Sequence, residues 1–114
     1  MIKKKYSLGH FTTIYEVNKQ NMFNATEFCS SYGKYPKKWL FLKVGKSSIL
    51  AAKEVSNMSE DQLVYIEGNI VWLHEILLVD LLKLLDSGFH DLFYHHLAKD
   101  MEALLKEKAK NALS

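Results

Sequence analysis

An α+β fold is predicted, on three observations. β-branched and aromatic runs occupy residues 11–17 and 63–74; two short, capped helical segments lie between them; and apolar residues recur at helical spacing from residue 75 to about 111. The predicted architecture is a small sheet with a helix-turn-helix and a β-hairpin wing, followed by a central apolar helix and a long C-terminal helix. A chain of 114 residues, 48% apolar and 12% aromatic, suits one domain with a real core.

The first strand signal is Phe11–Val17, FTTIYEV, with Lys3–Leu8 as a possible edge strand before it. Asn18–Asn21 reads as a turn, after which Met22-Phe23 returns as a short strand. The triplet Asn24-Ala25-Thr26 fits the N-x-[ST] glycosylation acceptor, but so does Asn57-Met58-Ser59, and residues 1–13 have no apolar leader core. Asn24 reads better as an N-cap with Glu27 completing a capping box, opening a helix from Ala25 to about Tyr32 that buries Ala25, Phe28 and Cys29. Gly33 supplies its left-handed stop.

Pro36 suits the first turn of a second helix, Pro36 to about Val44, since it has no N–H to lose. At about 100° per residue, Trp39, Leu40 and Leu42 share one side and Lys37, Lys38 and Phe41 the other. Two helices parted by a few residues with a glycine have the spacing of a helix-turn-helix. Gly45 is expected to end the second helix and Ser47 to cap a third, Ser48 to about Val55, with Ile49, Leu50, Ala52 and Val55 inward. Ser56–Gln62 reads as a loop.

The segment LVYIEGNIVWLH reads as two strands reversing at Gly68-Asn69, with an acidic tip at Glu67. Glu75–Asp86 is apolar nearly all round except for the i, i+3 pair Asp80 and Lys83, which marks the central helix. Ser87-Gly88 is expected to stop it. A last helix runs from Phe89 to about Asn111, with Phe89, Phe93, Leu97, Met101, Leu104 and Leu105 as its stripe. Residues 101–114 extend that stripe past the expected core, so residues 1–100 are read as the domain and 101–114 as a helical extension for dimerisation or linkage.

Charge divides the chain. Residues 1–53 hold ten lysines against two acids, a balance of +8; residues 54–114 hold five lysines against eleven acids, a balance of −6. A basic half points to a polyanion, most often nucleic acid. There is no arginine, so the fork that reads guanine is missing and phosphate contacts are expected to dominate. The candidate DNA-binding residues are Lys34, Tyr35, Lys37, Lys38, Phe41, Lys43, Lys46, Ser47 and Ser48, with the lysines gathered on one patch and the serines donating at a helix N-terminus.

Other chemistries have little support. His74-Glu75 begins the HExxH pattern, but Leu78 stands where the second His belongs; His90, His95 and His96 lack ligand geometry. The single cysteine, Cys29, reads as a small buried apolar group. No catalytic set, metal site or cofactor is expected, and no run reaches the roughly 18 apolar residues of a membrane span. An intracellular protein is expected.

The order FNATEFC, GKYPKKWLFLK, a variable helix, then GNIVWLHEILLVDLLKLL with a final GF, resembles the KilA-N domain of phages, prophages and large DNA viruses, itself related to the fungal APSES domain. The resemblance spans about residues 11–97. It implies an α+β fold with a helix-turn-helix and hairpin, and double-stranded DNA binding as a module of a phage or prophage regulator or antirepressor in the cytoplasm of a bacterial host or a virus-infected cell. By position, Asn24, Ala25 and Thr26 match the helix start, Trp39 the core tryptophan, and Trp72 with His74 the end of the hairpin. The family often has arginine where this sequence has Lys37, Lys38 and Lys43, a departure that bears on specificity more than on affinity. The alternative is a protein-interaction module that binds another regulator, and the overlong last helix suggests a homodimer.

Overall fold

The computed structural model describes residues 1–113. Strands β1 (Ile2–Leu8) and β2 (Phe11–Val17) pair antiparallel from Ile2 opposite Val17 to Leu8 opposite Phe11, reversing through Gly9 at φ +57°. Alternation turns Tyr6, Leu8, Phe11 and Tyr15 toward the core. β3 (Met22–Asn24) forms as expected, but its partner is β5 (Ile70–His74), which holds β4 (Val64–Glu67) on its other edge. The two sheets, β1-β2 and β3-β5-β4, share no main-chain ladder. Side chains fasten the first hairpin instead. Lys4 Nζ reaches Glu75 Oε2 at 2.9 Å, the Tyr15 hydroxyl lies 3.5 Å from the same oxygen, and Tyr6 and Phe11 pack on Phe89.

The triplet Asn24-Ala25-Thr26 has three structural jobs. Asn24 Oδ1 accepts from the Glu27 N–H at 2.9 Å and caps α1 (Ala25–Ser30). Ala25 is fully buried, and Thr26 Oγ1 accepts from the Val71 N–H at 2.9 Å, tying α1 to β5. Glu27 returns no bond among the described residues, so the capping box is half formed. The helix stops at Ser30 rather than Tyr32; the Tyr32, Gly33 and Lys34 N–H groups fold back onto Cys29 and Ser30 carbonyls, with Gly33 at φ +66°.

The next two helices depart from the expected boundaries. α2 is Pro36–Phe41 and α3 is Lys43–Ser56, joined by Leu42 alone in an extended conformation (φ −76°, ψ 151°). Gly45 does not end α2; it lies in the first turn of α3, where a Cβ would collide with the Trp39 carbonyl. The glycine is there for close approach, not for a left-handed stop. Starting five residues early changes the phase: Gly45, Ile49 and Ala52 face inward, while Leu50 (57% exposed) and Val55 (83%) face out, against expectation. Leu42, expected inward, is a half-exposed hinge residue, whereas Trp39 is buried as expected.

Part of the expected loop 56–62 is the one-turn helix α4 (Glu60–Leu63), closed by a Ser59–Gln62 capping box. The β4-β5 hairpin reverses at Gly68 (φ +60°) and Asn69 as expected. A 3-10 turn, Glu75–Leu77, leads into α5 (Leu78–Leu85), whose Leu78, Leu81, Leu82 and Leu85 form the centre of the core. Each such leucine contributes roughly 1.5–3 kcal/mol on full burial. Asp80 and Lys83 pair at 3.0 Å. Ser87-Gly88 does not stop a helix but begins one: Asp86 alone breaks the chain, and its Oδ1 caps α6 (Ser87–Leu113) by accepting from the Phe89 N–H at 3.0 Å. Phe89 is buried and Phe93 packs against the core, but Leu97, Met101, Leu104 and Leu105 are exposed along the part of α6 that runs beyond it.

Candidate nucleic-acid interface

The α2–α3 corner exists because Pro36 starts α2, Trp39 anchors it at 2% exposure, and Gly45 lets α3 lie against the Trp39 carbonyl. With Trp39 inward, the helical period turns Lys37, Lys38 and Phe41 out; Phe41 is 78% exposed. With Gly45, Ile49 and Ala52 inward, Lys43, Lys46, Ser47, Leu50 and Lys53 are left outside on α3. One shallow depression brings Phe41, Lys43, Lys46, Ser47 and Leu50 together. A second, on the other flank of α2, brings Lys34, Tyr35 and Lys38 to the rim of a groove floored by Trp39.

The predicted site residues therefore fall into two adjoining groups around α2. Lys37 borders neither depression and lies one turn from Phe41 on the same face of the helix. Ser48 is half-buried beside the inward face. Neither Ser47 nor Ser48 is at a helix N-terminus, a correction forced by the earlier start of α3: the Lys46 N–H already closes onto the Leu42 carbonyl at 3.0 Å, so the turn with open N–H groups is Lys43–Gly45. Leu50 belongs to this surface although the sequence pattern placed it in the core. Glu54 shares the outward row of α3 and puts one negative charge at its far end.

The lysines of the front half do not all converge. Lys3, Lys4 and Lys5 lie on β1, with Lys4 engaged by Glu75 and Lys3 at a depression under the first hairpin. Among the described residues, none of the ion pairs engages Lys34, Lys37, Lys38, Lys43 or Lys46. Lys34 spends one donor on the Leu84 carbonyl, 3.3 Å away. Five ammonium groups with no carboxylate partner thus lie along the two flanks of α2, with the exposed Phe41 ring beside Lys43 and Lys46.

Burial pushes the Cys29 thiol up to about 11 and so keeps the sulfur protonated, with the Lys34 charge acting in the opposite direction. Burial also holds His74 below the ordinary histidine value, with Glu75 opposing, and its Nδ1 accepts from the Ile76 N–H at 3.1 Å as a cap. No group of His, Cys, Asp and Glu among the described residues is arranged to hold a metal, and no described helix is long and apolar enough to cross a membrane.

A family model, the KilA-N domain, matches residues 7–101. Comparison with curated proteins and with solved structures finds no match.

Proposed function

The chain belongs to the KilA-N domain family, a family of DNA-binding domains, and from that premise we propose that the α2–α3 corner is the surface laid against double-stranded DNA. The observation that carries this reading is the set of five lysines around α2 without carboxylate partners, Lys43 and Lys46 beside Phe41 and Lys34 and Lys38 on the other flank. Lys34, Lys37, Lys38, Lys43 and Lys46 neutralise phosphates; Tyr35 and Phe41 pack on sugars or base edges; Ser47 adds a hydroxyl, with Ser48 at the margin. Without arginine, affinity rests on charge, and sequence preference is modest. The biological setting that fits is a phage or prophage regulator.

The test is a quantitative shift assay on random duplexes across salt. With about five phosphates neutralised, log K against log salt should fall with a slope of about −4 to −5. Lys37→Glu with Lys38→Glu should abolish the shift. Binding that holds constant from low to moderate salt removes the reading.

A second reading is favoured by the exposed stripe Leu97, Met101, Leu104 and Leu105 on α6. It makes the chain an interaction module, binding a second copy or another regulator through that helix, as an antirepressor would. Pull-down of a partner that survives the Lys37→Glu, Lys38→Glu change and is lost with Leu104→Asp supports it.

A further inference from the structure

We infer that the groove between the α1–α2 connection and α5 is a binding site for a small apolar molecule that carries one anionic group, such as a medium-chain carboxylate. The cavity has a volume of about 360 Å³. That is the lower end of the range for small-molecule sites and too small for a helix or strand. Its floor is the Cys29 thiol and the Trp39 indole, both buried; its walls are Leu42, Leu81, Leu84 and Leu85. Leu42 and Leu84, at 39% and 38% exposure, leave apolar surface open to water at the mouth.

The rim decides the class of ligand. Lys34 and Lys38 both border the groove, and Lys34 crosses from the α1–α2 connection to within 3.3 Å of the Leu84 carbonyl, so its ammonium lies at the mouth. No carboxylate among the described residues pairs with either lysine. The nearby Asp86 is committed to capping α6 and to the Tyr32 hydroxyl at 3.4 Å. An apolar slot rimmed by two uncompensated cations fits a hydrocarbon body with an anionic head. The Trp39 Nε1–H, wholly buried, has no acceptor among the described residues, so this floor residue keeps an unspent donor as well.

The consequence for DNA rests on the function proposed above; the site itself does not. Lys34, Tyr35 and Lys38 border the groove and also belong to the phosphate-facing set. A bound carboxylate uses charge that phosphates would otherwise take, so occupancy and duplex binding oppose each other.

The experiment follows the two indole N–H resonances of the full chain by two-dimensional NMR, with octanoate as probe and 1-octanol as its uncharged counterpart. Trp39 reports on this groove, and Trp72 on the separate depression under the first hairpin. Octanoate should shift the Trp39 signal saturably and leave Trp72 in place. Lys34→Gln with Lys38→Gln should weaken octanoate by about tenfold without altering octanol. Leu84→Trp, which fills the mouth from a half-exposed position, should abolish the response. Equal shifts at both indoles, octanol binding as tightly as octanoate, or octanoate affinity unchanged in the double variant overturns the site. Loss of duplex affinity at saturating octanoate supports the shared use of the lysines. A chain that binds octanoate as described but no duplex overturns the DNA reading and leaves the site standing.

Discussion

Replacing Gly45 by alanine separates the two roles a glycine can have in a helix. In an open helix the change gains about 1 kcal/mol, because alanine is the better helix former. Here the new methyl meets the Trp39 carbonyl, a backbone group that cannot swing aside, and comes within 3.2 Å of the indole ring. Overpacking of this kind costs about 1–3 kcal/mol, and with a single-residue joint at Leu42 to absorb the shift the upper end applies. The net expectation is a loss of about 2 kcal/mol. Urea unfolding followed by tryptophan emission should show a midpoint lower by roughly 1–2 M with an unchanged slope. Ala51→Gly, at an exposed position on the same helix, serves as the reference and should lose about 1 kcal/mol through propensity alone. If Gly45→Ala is as stable as the parent or more so, the close approach of α3 to α2 is wrong, and with it the corner that presents the lysines.

Three further outcomes follow from hydrogen bonds and burial. Thr26→Val removes the acceptor of the buried Val71 N–H and should cost roughly 1–3 kcal/mol in urea unfolding, while Thr26→Ser recovers most of it. Because burial raises the Cys29 thiol to about 11 and leaves it 1% exposed, labelling by a disulfide reagent at pH 8 should be far slower in the folded chain than in the urea-unfolded chain; equal rates contradict the burial. His74 has a folded-state pKa below its ordinary 6.5, so its contribution is complete above that value and is lost as pH falls toward the folded pKa. Melting temperature should therefore drop between pH 7.5 and pH 5, and less so in His74→Asn, which can cap without titrating.

Much of this was legible where one local signal had one local cause. The Asn24 cap, the Gly68 reversal, the leucines of α5 and the burial of Trp39 needed only spacing and side-chain chemistry. The failures share a different origin. Gly45 and Gly88 have the composition of helix stops, yet both lie in first turns, Gly45 because of a contact with Trp39 and Gly88 because Asp86 caps the helix before it. Misplacing the start of α3 then rotated its faces and hid Leu50 from the candidate surface. Taking Gly45, Ile49 and Ala52, at i, i+4 and i+7, as the buried row would have recovered it. That Lys3, Lys4 and Lys5 stand apart from the helical lysines could not be read at all, since charge counted along a chain carries no direction in space.

The absence of a shared ladder between the two sheets sets how the molecule comes apart. The first hairpin can lift as a unit by giving up one ion pair, one long hydroxyl contact, three aromatic contacts and the burial of Val17, while every strand bond on either side of the seam stays made. Amide protons of β1 and β2 should thus exchange with deuterium through a cheaper opening than those of β3 and β5, and trimming by a protease should begin at residues 2–17 while the leucine centre remains closed.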